Sequence, residues 1–160
     1  MSKRLLVWSI EQEQPLSLDA ASLIAHLMTP GTWPEAVIHP DDERDPYPRM
    51  LIEHHRGAGV LSLVCFEDSS STGHVASVGT RMSAPTVYVC LGGQVIEQWP
   101  RELFLQPALA EIVVAGFLEN GRQSTSCSWI KLNGFERTTV HPGGRGLIEM
   151  WKRLQQDASS

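Results

Sequence analysis

The chain has only three cysteines, Cys65, Cys90 and Cys127, and each lies in an apolar or strand-like stretch. An odd, widely spaced set offers no disulfide framework. Reduced cysteines of this kind pack as small hydrophobes, which points to a cytoplasmic location. Long apolar runs are lacking too: nothing approaches the roughly 18–20 residues that span a bilayer, so no membrane partner is expected. Lys3 and Arg4 precede a short apolar run that soon meets Glu11 and Glu13, with no small-residue cleavage site, and no secretion signal is read there. Basic residues are in deficit, 13 Lys and Arg against 18 Asp and Glu, for a net charge of −5. A phosphate backbone needs a basic surplus on one face, so nucleic acid is excluded as the expected partner and a basic protein is favoured. Repeats and linkers are absent as well. A length of 160 residues, 42% hydrophobic and 19% charged, fits one soluble domain over 1–160 that needs no metal or disulfide.

What is present is a set of strand and helix signals around a central unit from Thr86 to Ile130. Thr86–Leu91 alternates at the period of a half-buried strand, Gly92-Gly93 supplies a tight hairpin, and Gln94–Trp99 returns as the partner strand. Pro100 and Pro107 bracket a link. From Pro107 the residues Leu109, Ile112, Val113, Gly116 and Phe117 recur at helical spacing until Asn120-Gly121 stops them, and Ser124–Ile130 is extended.

Upstream, Lys3–Ile10 reads as a strand apolar on both faces. Ser17 is the N-cap of a helix whose stripe is Leu23, Ile24, Leu27 and Met28, with Asp19 at the positive end of its dipole. From Thr32 to Pro48, prolines surround Asp41, Asp42, Glu43 and Asp45, the composition of a long exposed acidic loop. Met50–His55 and Val60–Phe66 form a second hairpin, and His74–Met82 is weakly strand-like. Downstream come a short strand at Thr138–Val140, a glycine-rich break at 143–146 and a terminal helix over Leu147–Leu154, with 155–160 a frayed tail. These elements predict an α+β fold: a mostly antiparallel sheet of about five to seven strands covered by two or three helices.

The chemistry-bearing residues form no catalytic signature. His54 and His55, adjacent on a strand, point to opposite faces and cannot share an ion, and no His or Cys pair has metal-ligand spacing. Asp41, Glu43 and Asp45 alternate like a calcium loop, but the required Gly is Pro46 and the required Glu is Ile52. The glycine run at 143–146 lacks the Lys and Ser or Thr of a phosphate loop. No serine sits in a nucleophile elbow; Ser124, Ser126 and Ser128 alternate as one face of a strand. No cofactor, no metal and no enzymatic activity are therefore expected. Carboxylates this dense between prolines are either a solvated loop or a surface offered to a partner's Lys and Arg.

The stretch Trp99-Pro100, Phe117-Leu118-Glu119-Asn120-Gly121 and Ser128-Trp129-Ile130 resembles immunity protein family one of bacterial polymorphic-toxin systems. The matching positions are Pro100, Phe117, Leu118, Gly121 and Trp129, of which Gly121 reads as a C-cap and Trp129 as a core anchor. The family often carries a proline between the glycine and the tryptophan, where this chain has Gln123, Ser124 and Thr125. The resemblance implies a cytoplasmic protein that binds a cognate toxin domain, a nuclease or a nucleic-acid deaminase, and blocks its active site. Asp41, Asp42, Glu43, Asp45 and Tyr47 are the expected partner-facing residues, with Glu67 and Asp68 as a second patch. The competing readings are a generic protein-binding adaptor and a small hydrolase built on scattered His, Ser and Asp.

Overall fold

Val60–Phe66 is almost wholly apolar and Arg49–His55 carries Met50, Leu51 and Ile52, and both strands are largely buried on their two faces, as strands covered above and below must be. The computed structural model supplies both covers; it describes residues 5–8, 16–29, 35–40, 47–55, 59–68, 72–91 and 94–157. In chain order the elements are β1 (Leu5–Trp8), β2 (Leu16–Leu18), α1 (Ala20–Met28), β3 (Glu35–Pro40), β4 (Arg49–His55), β5 (Val60–Phe66) and β6 (His74–Ser77). They continue with β7 (Val87–Leu91), β8 (Val95–Trp99), a 3-10 turn (Arg101–Leu103), α2 (Pro107–Asn120), β9 (Ser128–Lys131), β10 (Thr138–His141) and α3 (Leu147–Asp157). The predicted α+β class is what forms. A seven-stranded sheet runs β2-β1-β3-β4-β5-β6-β9, and a separate three-stranded sheet runs β10-β8-β7, with antiparallel pairing throughout.

Helices α1 and α2 cover one face of the larger sheet. Leu23, Ile24 and Leu27 of α1 and Val113, Val114 and Phe117 of α2 pack on Ile38, Met50, Ile52, Leu61, Leu63 and Cys65. On the opposite face Val64 and Val75 meet Val89, Trp99, Leu103 and Phe104 of the second sheet and the turn after it. The far side of that second sheet, Cys90 and Ile96, takes α3 through Leu147 and Trp151. Arg137 lies over the Phe135 ring at 4.4 Å and reaches the Glu97 carboxylate at 3.4 Å and the Leu132 carbonyl. Where β6 diverges from β5, Leu105 fills the gap: the Leu61 N–H donates to the Leu105 carbonyl at 2.9 Å, and the Leu105 N–H to that of Leu61 at 2.7 Å.

Several boundaries differ from the sequence reading, each for a physical reason. The N-cap of α1 is Asp19, whose Oδ1 accepts the Ser22 N–H at 2.8 Å; Ser17 is committed to β2, pairing Leu6. The expected loop over Thr32–Pro48 contains β3, because Ala36 and Ile38 alternate into the core while Pro40 sits at the strand's end, where a missing N–H is tolerated. Of the three alternating serines only Ser128 is in a strand; Ser124 Oγ accepts the Ser126 N–H at 3.1 Å in a local turn. Met28 and Ile112, counted into apolar stripes, are 40% and 54% exposed. The terminal helix continues through Asp157, so Gln155–Asp157 are helical rather than part of a frayed tail. Gly121 is the αL C-cap expected of it, φ 65°, its N–H donating to the Phe117 carbonyl at 2.7 Å.

Candidate partner-binding surface

The pairing of β4 with β5 decides where the candidate residues stand. Arg49 is opposite Phe66, so Tyr47 and Pro48, which lead into β4, come beside Glu67 and Asp68, which leave β5. Tyr47 and the Glu67–Asp68 pair, separate in sequence, come to one end of the sheet. The Arg49 guanidinium lies over the Tyr47 ring at 5.0 Å and the Phe66 ring at 5.2 Å, a stack that holds Tyr47 against the strand. Gly73 passes under the same ring: a Cβ there would stand 2.7 Å from Phe66 Cε1.

The C-terminal end of α2 completes the site. Gly121 lies so close to Pro48 that a Cβ would stand 3.0 Å from Pro48 Cγ, so the helix end seats on the residue before β4. Between them opens a surface groove of about 490 Å³ lined by Pro48, Glu67, Leu118, Glu119, Asn120, Gly121 and Arg122. Glu67, Asp68 and Glu119 are exposed. The last carbonyls of a helix carry its negative partial charge, which adds to the two carboxylates of the groove against the single guanidinium of Arg122. Such a surface suits a cationic side chain, with Pro48 and Leu118 giving apolar contact to its methylene stem. Asp45 precedes Tyr47 by two residues; Asp41, Asp42, Glu43 and Asp45 themselves lie outside the described residues.

The motif residues divide between scaffold and groove. Phe117 is fully buried in the helix-side core, Pro100 is buried at the start of the 3-10 turn, and Trp129 is half-buried, its indole N–H donating to the Ser124 carbonyl at 2.8 Å. Leu118 and Gly121 face the groove.

A second polar constellation went unread in the sequence. Glu35 on β3 stands opposite Glu53 on β4, on the face turned toward the second sheet. Glu53 is 6% exposed and its Oε1 accepts the Cys90 N–H of β7 at 2.9 Å. The two carboxyls stand directly across from each other in the β3–β4 pairing, where a proton on one of them relieves the repulsion of two buried charges. Burial pushes Glu35 up to about 7, and burial together with the Glu35 charge raises Glu53 well above the carboxylate range. The space around the pair, lined also by Leu51, Ser62, Val64 and Val89, is about 10 Å³, the size of one water and far too small for a substrate. Farther along β4, His54 Nδ1 is 3.3 Å from the Leu27 carbonyl on the helix side. His55 meets the Trp151 ring edge-on at 6.1 Å on the other side, its imidazole pushed down by burial. The two rings do point apart, as alternation requires.

Among the described residues no group of three or more His, Cys, Asp or Glu side chains converges as a metal site, and no helix is long and apolar enough to cross a membrane. Comparison with protein-family models, with curated proteins and with solved structures yields no match for the chain.

Proposed function

We propose that this is an immunity-type inhibitor that acts in the cytoplasm without catalysis of its own, binding a basic toxin domain, a nuclease or nucleic-acid deaminase, and covering its active site. The observation that carries the reading is the groove at the end of α2, where Glu67 and Glu119 join a helix C-terminus beside Pro48, a residue that follows Asp45 by three positions in the sequence. A toxin that handles nucleic acid has a cleft lined with Lys and Arg. Carboxylates presented to that cleft accelerate encounter, and once seated they occupy the position of the substrate phosphates. Two positions of the family motif, Leu118 and Gly121, lie in this groove and supply its apolar wall and its close approach to Pro48.

The test is co-expression with the toxin domain encoded by the adjoining gene, one partner alone carrying a tag. The expected result is a stoichiometric complex together with restored growth of the host cells. Replacing Asp41, Asp42, Glu43, Asp45, Glu67 and Asp68 with Ser should abolish both. Full protection by that variant would sink the acidic-surface mechanism, and the absence of any complex with the wild-type chain would sink the inhibitor reading and leave an adaptor for another host protein.

A further inference from the structure

The buried Glu35–Glu53 pair is an unusual way to join two sheets. β7 is an edge strand, and the N–H of Cys90 on its outer side is met by a carboxyl side chain rather than by another strand. That carboxyl belongs to β4, the middle of the larger sheet, and stands opposite a second carboxyl on β3. Glu35 Oε2 is buried and has no hydrogen-bond partner among the described residues. Two ionised carboxylates in this position would repel each other with no counter-charge between them among the described residues, whereas one shared proton converts the repulsion into a hydrogen bond.

The other described groups facing the pair do not substitute for that proton. On β4 the same face carries Arg49 four residues away, stacked on Tyr47 and Phe66, and His55, which meets Trp151 and is held toward its neutral form. From β5 comes Ser62, which is uncharged. From β7 come Val89 and Cys90. On β8 Glu97, opposite Val89, adds another acid, but Arg137 and the Trp99 indole hold it.

We infer that the Glu35–Glu53 pair is a proton-operated latch between the two sheets: with one proton shared by the carboxyls β7 is closed against β4, and loss of that proton to solvent releases β7. The device is independent of the partner-binding reading, since it lies between the sheets and not in the groove. In the closed form the pair holds a proton at pH values where free carboxyls have none, so opening is coupled to proton release and is promoted by rising pH. His55 works in the opposite sense, since opening exposes it to protonation below its ordinary 6.5. The window from pH 6.5 to 8.5 therefore isolates the carboxyls. Across it the opening constant should rise by roughly tenfold.

Amide hydrogen exchange of the full wild-type chain, corrected for the intrinsic pH dependence of exchange, reads this directly. Protection of residues 87–91 should fall about tenfold from pH 6.5 to 8.5 while that of residues 61–65, in the larger sheet, stays level. Glu35→Gln should flatten the dependence, since the amide is neutral at every pH and can still hydrogen-bond Glu53. Equal protection of 87–91 at both pH values, parallel loss in 61–65, or an undiminished dependence in Glu35→Gln would each overturn the latch. Should Glu35→Gln fail to fold, the wild-type comparison of the two segments decides alone.

Discussion

The two faces of the seven-stranded sheet are built on different physics. Toward α1 and α2 the strands present Ile38, Met50, Ile52, Leu61, Leu63 and Cys65, and the buried His54 lies against the end of α1. Toward the second sheet the same strands present Leu51 and Val64 but also Glu35, Glu53, His55 and Ser62. A face closed by apolar area is non-directional and indifferent to protons. A face closed through buried titratable groups is held only while each keeps its partner and its charge state. The contrast suggests a rigid helix-backed half and a conditional half made of β7, β8, β10 and α3.

The hardest way to break the helix-backed half is to empty its centre. Phe117→Ala should cost about 4 kcal/mol, since a fully buried ring leaves a cavity, and the lowered urea midpoint should be displaced equally at pH 6 and pH 8. A pH-dependent loss from this variant would erase the distinction between the faces.

Next in size is the pH dependence of the wild-type chain. A carboxyl with a raised folded value stabilises fully below the ordinary 4.5 and loses that contribution as pH climbs through about 7, the value for Glu35. His55 has the opposite sign: its depressed folded value leaves stability intact above 6.5 and lost as pH falls below it. Stability should therefore peak mildly acid and fall by about 2 kcal/mol toward pH 8. Glu53→Gln should remove most of the alkaline loss and His55→Phe most of the acid loss, both read by urea denaturation. A wild-type maximum above pH 8 would contradict the assignment.

Smaller effects sharpen the boundary of the groove. Gly121→Ala places a Cβ against Pro48 at positive φ and should cost about 1 kcal/mol, lowering the melting temperature by a few degrees. Ile112→Ser, on the exposed side of α2, should change stability by less than about 0.5 kcal/mol.

Much of this architecture is legible in the chain because its signals are local. The β4–β5 and β7–β8 hairpins follow from alternation, and α2 follows from Pro107, its apolar spacing and Gly121. What stays hidden depends on partners far away in sequence. β3 is masked by the prolines and acids around it, and its Ala36 and Ile38 gain meaning only when β4 pairs with them. Glu53, a lone acid in an apolar strand, reads by habit as solvent-facing. Its burial is set by β7, thirty-seven residues later. The same holds for the groove: Glu67 and Asp68 are visible as acids, but Glu119, Pro48 and the helix end join them only through the register of the sheet and the seating of α2.

Whether the end of the molecule that carries Glu67, Asp68 and Glu119 is the partner surface is decided by association kinetics with the toxin domain proposed as its partner. The rate constant would be measured from about 50 to 500 mM salt, for the wild type and for a variant in which Glu67, Asp68 and Glu119 are Ser. The expected wild-type rate falls about tenfold or more with added salt, and the variant starts slower and shows a flatter slope. Identical rates and slopes for the two proteins would place the interface elsewhere.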